Sequence, residues 1–266
     1  LVIVGGGPAG ITCALTASRR GHQVTLLEKE PVLTGKLNIA CHGEHKADLR
    51  RFRDYLLTQL RKSSVTVHTG VLADTDVVRD LKPDALVIAV GATPSRIPLP
   101  GVDGDNCIQI SEFLQSPDTS LQHYIIIGGG SVGCETALDL AEKGKDVSII
   151  EMADCLASAS NDLYRLALSE HFARYDNLHT YLNSACQSID ADGVNVLTNG
   201  ASTHISGDKV LLSLGFRPDA KQVSSLYGIA PDTYYVGDCE RVATVAEAVN
   251  NAYFIGANVF QEQDII

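Results

Sequence analysis

The chain has 266 residues, 45% of them hydrophobic, enough for one large or two modest domains with real cores. A net charge of −11 excludes a nucleic-acid surface, because phosphate backbones require a basic face, and a chain without tryptophan and with few aromatics offers no stacking platform. No run approaches the roughly 18 apolar residues of a membrane span, the short apolar start is no signal peptide, and seven scattered cysteines without a C-x-x-C pair point to reduced thiols in the cytoplasm.

Leu1–Val4 is a short apolar run that reads as a buried parallel strand. It begins at residue 1 with no lead-in, which points to a longer parent chain. G-x-G-x-x-G follows at Gly5, Gly7 and Gly10, then a helical stretch, then a second apolar run ending in Glu28. In this arrangement the first Gly makes a tight turn, the second admits a pyrophosphate, and the third lets helix and strand pack closely. The helix N-terminus offers N–H groups and a positive dipole end to phosphates. An acid at the end of the second strand can accept hydrogen bonds from ribose hydroxyls.

Pro31–Lys36 is turn-rich, and Leu37–Glu44 has no clear period. Ala47–Lys62 spaces Leu49, Phe52, Leu56 and Leu60 as an amphipathic helix. Val65–His68 and Asp84–Ala89 read as strands. Gly91 and the prolines up to Pro100 make an extended crossing. Residues 102–123 are a connector with a short helix near Ser111–Leu114.

Then the opening pattern returns. With Leu1 laid on Tyr124 and no gap, ten of thirty positions are identical: Ile3, Gly5, Gly6, Gly7, Gly10, Ala14, Leu15, Gly21, Val24 and Glu28. The second set of glycines is Gly128, Gly130 and Gly133, and its acid is Glu151, eighteen residues past the third Gly in both copies. One G-x-G-x-x-G is weak evidence, but the full strand–turn–helix–strand–acid pattern twice in register is strong. Asn161–Tyr175 reads as a helix. Hairpin turns are expected at Asp192-Gly193 and Asn199-Gly200. Lys209–Leu214 is a strand running into Gly215-Phe-Arg-Pro, and Tyr234–Val236 a strand running into Gly237-Asp238. Thr244–Gln263 is the last helix, with Thr244 as its N-cap. The fold class is α/β, with two nested Rossmann-like dinucleotide-binding domains. Residues 1–101 and 215–266 form the first, and residues 102–214 form the second, inserted into it.

These features together (GGGPAG with Glu28, AVGATP, GGGSVGCE with Glu151, LGFRPD and a late YVGDC) resemble flavoproteins of the pyridine nucleotide–disulfide oxidoreductase type. The likeness covers essentially the whole chain and is greatest to the C-terminal FAD/NAD module of the enoate reductase and dienoyl-CoA reductase group, related to old yellow enzyme. The resemblance implies FAD on the first fingerprint and NADH or NADPH on the second. Gly5, Gly7 and Gly10 would cradle the FAD pyrophosphate, Glu28 the adenosine ribose and Asp238 the ribityl chain. The helix opening at Thr244–Ala246 would direct its dipole at the flavin C2 carbonyl. Pro8, Ala9, Lys29, Lys36, Leu37, Ala89, Gly91, Gly237 and Val245 complete the FAD set. Gly128, Gly130 and Gly133 would hold the nicotinamide dinucleotide, with Ser131, Val132, Glu151 and Gly215, and with Glu135 near the nicotinamide.

Met152, Ala153 and Asp154 follow Glu151, and no guanidinium is placed to accept a 2′-phosphate, which favours NADH; a cation from the loop near Lys209 would reverse that. The cysteine spacing argues against disulfide reduction. His42, Glu44 and His45 lack the partners of a metal site, so no metal is expected, and no side chain is expected to act as a nucleophile or acid–base catalyst. The implied partners are NADH and an electron acceptor, either an FMN/iron–sulfur domain or a small molecule. The alternative is a module that holds ADP for structural ends and transfers no hydride.

Overall fold

A computed structural model describes residues 1–43 and 46–260. Glu44 and His45, weighed above as metal ligands, and Gln263, the expected helix end, lie outside them. The chain forms two compact units, Leu1–Thr93 with the stretch from Phe216 onward, and Pro94–Gly215.

In chain order the first unit opens with β1 (Val2–Val4), α1 (Pro8–Arg19), β2 (Thr25–Glu28), α2 (Leu37–Ala40) and α3 (Ala47–Arg61). It continues with β3 (Thr66–Thr69), α4 (Thr75–Asp80), β4 (Ala85–Ile88) and β5 (Ala92–Pro94). The inserted unit holds β6 (Cys107–Gln109), α5 (Ile110–Gln115), β7 (His123–Ile127), α6 (Ser131–Glu142), β8 (Asp146–Ile150), α7 (Asp162–Phe172) and β9 (Leu178–Tyr181). A three-stranded antiparallel sheet follows, β10 (Ser184–Asp190), β11 (Gly193–Thr198) and β12 (Ala201–Ser206), and then β13 (Lys209–Leu212). The chain returns to the first unit through β14 (Phe216–Pro218), α8 (Ala220–Leu226), β15 (Asp232–Tyr235) and α9 (Val245–Asn258).

Each unit is built on a five-stranded parallel sheet. The orders are β15-β4-β1-β2-β3 and β6-β13-β7-β8-β9, so β1, β2, β3 and β4 occupy the places of β7, β8, β9 and β13. In each, the chain runs outward from the central strand on one side, then returns to the other. That reversal opens a crevice at the carboxyl ends of β1/β4 and of β7/β13, where ligands bind in open α/β sheets.

Apolar side chains cover both faces of each sheet. In the first unit Ile11, Ala14 and Leu15 of α1, Leu56 and Leu60 of α3, and Ala248 and Ala252 of α9 pack on Ile3, Leu26 and Val87. A Cβ on Gly256 would lie 2.7 Å from the Cys13 carbonyl oxygen, so this glycine lets α9 lie directly on α1. Val78 of α4 and Leu226 of α8 cover the other face. In the inserted unit α5 and α6 cover one face through Phe113, Ala137 and Leu140. The three-stranded sheet covers the other through Ile189, Val194, Val196 and Ile205.

Several details differ from the sequence reading. The helices α4 and α8 have no apolar period to reveal them, but each has an aspartate N-cap. Asp74 accepts from the N–H of Asp76 and Val77, and Asp219 from those of Lys221 and Gln222. The β11–β12 turn is at Asn199-Gly200, with φ of 50° and 84° as a primed turn requires. The β10–β11 turn falls one residue earlier than expected, at Ala191-Asp192. Gly193 is instead the first residue of β11, where a Cβ would sit 2.1 Å from the Ile205 carbonyl oxygen. The crossing after Pro94 belongs to the inserted unit. Leu99 and Val102 pack on its core, and Ile189 donates its N–H to Pro100 at 2.8 Å. Among the described residues no helix is long and apolar enough to cross a membrane.

Candidate functional site: two glycine cradles

The glycines of each fingerprint have different reasons to be glycine. A Cβ on Gly10 would lie 1.9 Å from the Gly5 carbonyl oxygen, and one on Gly133 would lie 2.3 Å from that of Gly128. Gly5 and Gly128 have φ of 112° and 105° and press against the carbonyls of Ala89 and Ser213 at the ends of the neighbouring strands. Packing and backbone conformation therefore account for these four. They do not account for Gly7 and Gly130. Both have ordinary φ (−73° and −68°), and a Cβ on either would meet nothing within 4 Å. Each is the N-cap of the helix that follows, so its open flank faces the unpaired N–H groups of a first turn. Both cradles thus fit a dinucleotide diphosphate: bare backbone, free amides, and room.

The acids are already engaged. Glu28 accepts from the Gly6 N–H at 2.6 Å and the Glu30 N–H at 2.8 Å. Glu151 accepts from Gly129 at 2.6 Å and Ala153 at 2.8 Å. Each carboxylate ties its glycine turn to the end of its second strand. The next loop closes back in the same way in both copies. Thr34 and Ala157, both at positive φ, donate their N–H to the Gly6 and Gly129 carbonyls at 2.7 Å. The repeat therefore extends beyond the thirty residues visible in sequence.

The remaining residues expected in the first unit divide into two groups. Pro8 opens α1 at a position that suits a fixed φ and a missing N–H. Gly237, at φ 73°, would bring a Cβ to 2.9 Å from that of Ala9, which places the Val236–Cys239 turn beside the start of α1. Asp238 accepts from the Lys36 ammonium at 2.5 Å and from the Ala243 N–H at 3.4 Å. Thr244 caps α9 in a reciprocal capping box with Glu247, and Val245 is its first helical residue, half-buried against the core. Ala89 hydrogen-bonds to Val4 through its N–H, and Gly91 turns the chain at φ 73°. Two expected residues stand apart from this group. Lys29 is exposed beside Glu30, and the Leu37 side chain is buried in the core, so Leu37 can offer only backbone.

In the inserted unit Ser131 opens α6 and its hydroxyl lies 2.9 Å from that of Ser160. Val132 is exposed at the same helix end, and Gly215 turns the chain at φ 74°. Glu135 accepts a hydrogen bond from the Tyr164 hydroxyl at 3.0 Å. Burial, reinforced by that carboxylate, pushes the Tyr164 phenol up and keeps it a donor. Tyr164 was not foreseen. Its only sequence signal is its place three residues after the Asn161 cap, which turns it toward the preceding helix.

The buried cysteines Cys13, Cys134 and Cys239 are poor nucleophiles. Burial pushes the thiols of Cys13 and Cys134 up to about 12. Cys239, next to Asp238, is raised by burial and donates to the Ile88 carbonyl at 3.0 Å. A cavity of about 430 Å³ lies at the amino-terminal ends of β1, β2 and β4, around Val2, His22, Lys82 and Asp84, and contains none of the expected residues.

Comparison with known proteins agrees with this geometry. Residues 1–235 match the family model described as pyridine nucleotide-disulphide oxidoreductase. An NADH oxidase of Thermoanaerobacter brockii is 33% identical over 95% of this chain, and a bilirubin reductase of Mediterraneibacter gnavus is 33% identical over 97%. The chain spans about 40% of the length of each of these curated relatives. A solved 2-naphthoyl-CoA reductase superposes with a TM-score of 0.90 at 29% identity, over 97% of this chain and 39% of that one. Lactococcus lactis thioredoxin reductase, at 19% identity, shares the fold with a TM-score of 0.77 over 96% of this chain and 95% of its own. With two glycine cradles on two parallel sheets and a family match over most of its length, the chain belongs to the pyridine nucleotide-disulphide oxidoreductases, flavin-dependent enzymes that use FAD and a pyridine nucleotide.

Proposed function

We propose that this chain is an NADH-dependent flavin reductase module. The first unit holds FAD, the inserted unit holds NADH, and electrons leave the flavin for an acceptor. That acceptor is an FMN/iron–sulfur domain or partner outside this chain, or a small molecule. The observation that carries the reading is the unexplained pair of glycines, Gly7 and Gly130, each open where packing would tolerate a side chain. FAD supplies the hydride-accepting chemistry when bound.

The protein's part is binding and electrostatics. The first-turn amides of α1 and α6 receive the two pyrophosphates. Glu28 and Glu151 hold the turns in shape and present their remaining lone pairs to adenosine riboses. Asp238 receives the ribityl hydroxyls, and the N-terminus of α9 supports negative charge on the flavin.

NADH is favoured over NADPH by the surroundings of Glu151. Met152 and Ala153 follow it and carry no charge, and Asp154 adds a second acid. Lys209 begins β13 in register with Tyr124, at the end of the sheet away from Gly128, and its ammonium is bonded to the Asp105 carbonyl at 3.0 Å. That placement speaks against Lys209 as a 2′-phosphate ligand. The name of the T. brockii relative, NADH oxidase, agrees.

The test is a visible spectrum of the purified chain followed by anaerobic NADH. Flavin bands that NADH bleaches support the reading. Bands that only NADPH bleaches reverse the nucleotide assignment. A chain that holds no FAD even when FAD is supplied would instead be a structural nucleotide-holding module.

A further inference from the structure

Three side chains from distant parts of the chain converge beside the first glycine turn. Lys36 follows Gly35, whose added Cβ would lie 3.5 Å from Cα of Gly7. The Lys36 ammonium sits 2.5 Å from Asp238 Oδ2 and 4.1 Å from the ring centroid of Phe216. The lysine side chain is 31% exposed and the aspartate 19%, so the pair is largely withdrawn from water. The other oxygen of Asp238 reaches the Ala243 N–H, one residue before the cap of α9. In the inserted unit the position in register with Lys36 is Ala159, so only one of the two copies carries this cation.

We propose that Lys36 sets the charge of the flavin site. Its ammonium cancels the Asp238 carboxylate and so biases bound flavin toward its reduced form. The proposal rests on the reading of the first unit as the FAD site. In the balanced reaction, NADH and oxidised flavin give NAD⁺ and a reduced flavin that has gained one hydride and one negative charge. An uncancelled carboxylate would oppose that charge, and in a partly dry site the opposition is not screened away. Phe216 holds the ammonium in place by a cation–π contact. Lys36 is thus a positioning residue that acts through Asp238.

The experiment measures the reduction potential of the bound flavin, by equilibration with a reference dye, and its dissociation constant. The full chain is compared with Lys36→Met, Lys36→Arg, Asp238→Asn and the Lys36→Met/Asp238→Asn pair. Lys36→Met is expected to shift the oxidised/reduced equilibrium about tenfold toward oxidised flavin, which is about 30 mV for a two-electron couple. Lys36→Arg should stay near wild type, Asp238→Asn should move the potential up, and the double variant should return most of the loss. An unchanged potential in Lys36→Met overturns the proposal. So does a loss that Asp238→Asn does not restore, accompanied by weaker FAD binding, because Lys36 would then only prop the loop. If Lys36→Met fails to retain FAD, Asp238→Asn alone decides, and an unmoved potential there is also fatal. A wild-type chain that takes up no FAD defeats the flavin reading itself and is told apart by its colourless spectrum.

Discussion

In the first unit the Glu28 carboxylate clasps the Gly6 and Glu30 amides, Thr34 closes back on Gly6, and Gly5 presses on the carbonyl of Ala89. In the inserted unit Glu151, Ala157 and Ser213 do the same things at matching positions. The copies part company at the mouth of the cradle. Pro8 and Leu37 stand where Ser131 and Ser160 meet, and Thr12 stands where Glu135 takes the Tyr164 hydrogen bond. The first unit has instead the Lys36–Asp238 pair and the capped end of α9. What is common is the glycine turn, the carboxylate that clasps it and the loop that returns to it; what differs is the set of polar side chains around that frame.

This comparison is most severely tested at the third glycines. Gly10→Ala and Gly133→Ala each push a methyl into a backbone carbonyl and should cost about 3 kcal/mol in urea unfolding, whichever unit is struck. The second glycines separate the copies. Gly7→Ala and Gly130→Ala meet no atom, so stability should fall by no more than about 1 kcal/mol, the cost of alanine at an N-cap. Titration should then show FAD binding weakened about 10- to 100-fold by the first, as expected for the loss of charged hydrogen bonds. The second should keep FAD and lose NADH by a similar factor. Loss of FAD from Gly130→Ala would refute the division of labour.

Tyr164→Phe removes one hydrogen bond found in only one copy. It should raise KM for NADH several-fold, within the roughly 0.5–1.5 kcal/mol of one such bond, and leave the flavin spectrum unchanged. The smallest effect is expected at the capping box. Hydrogen bonds from Thr244 hold the Glu247 carboxyl below the usual glutamate range. A depressed folded value means that its support of α9 is complete above the unfolded value and fades as pH falls through the folded one. Wild type should therefore lose helicity in mild acid slightly faster than Glu247→Gln, whose helix starts weaker and stays level, as followed by circular dichroism.

The cradles were legible in sequence because close backbone contacts demand glycine at Gly5, Gly10, Gly128 and Gly133, and a carboxylate at Glu28 and Glu151 clasps two amides in each copy. The return of the loop to Gly6 and Gly129 was not, because it is made by main-chain amides at positive φ on a threonine and an alanine, which share no chemistry. The ends of β4 and β13 repeat as well: Ala89-Val-Gly91 and Ser213-Leu-Gly215 have matching places, but only the glycine is shared. The Asp192-Gly193 signal misled by one residue because the glycine answers to the neighbouring strand rather than to the turn. Lys36 and Asp238 are 202 residues apart, and nothing in either neighbourhood announces the other.

Ser95 donates its N–H to the Gly215 carbonyl at 2.9 Å, so the two ends of the inserted unit meet. A domain whose entry and exit lie side by side behaves, for its host, like a long excursion from a single point. The entropy of closing such an excursion grows only slowly with its length. Evolution could exchange this whole unit for another without reworking the host sheet, and a protein engineer could do the same, grafting a unit of different nucleotide preference between Thr93 and Phe216.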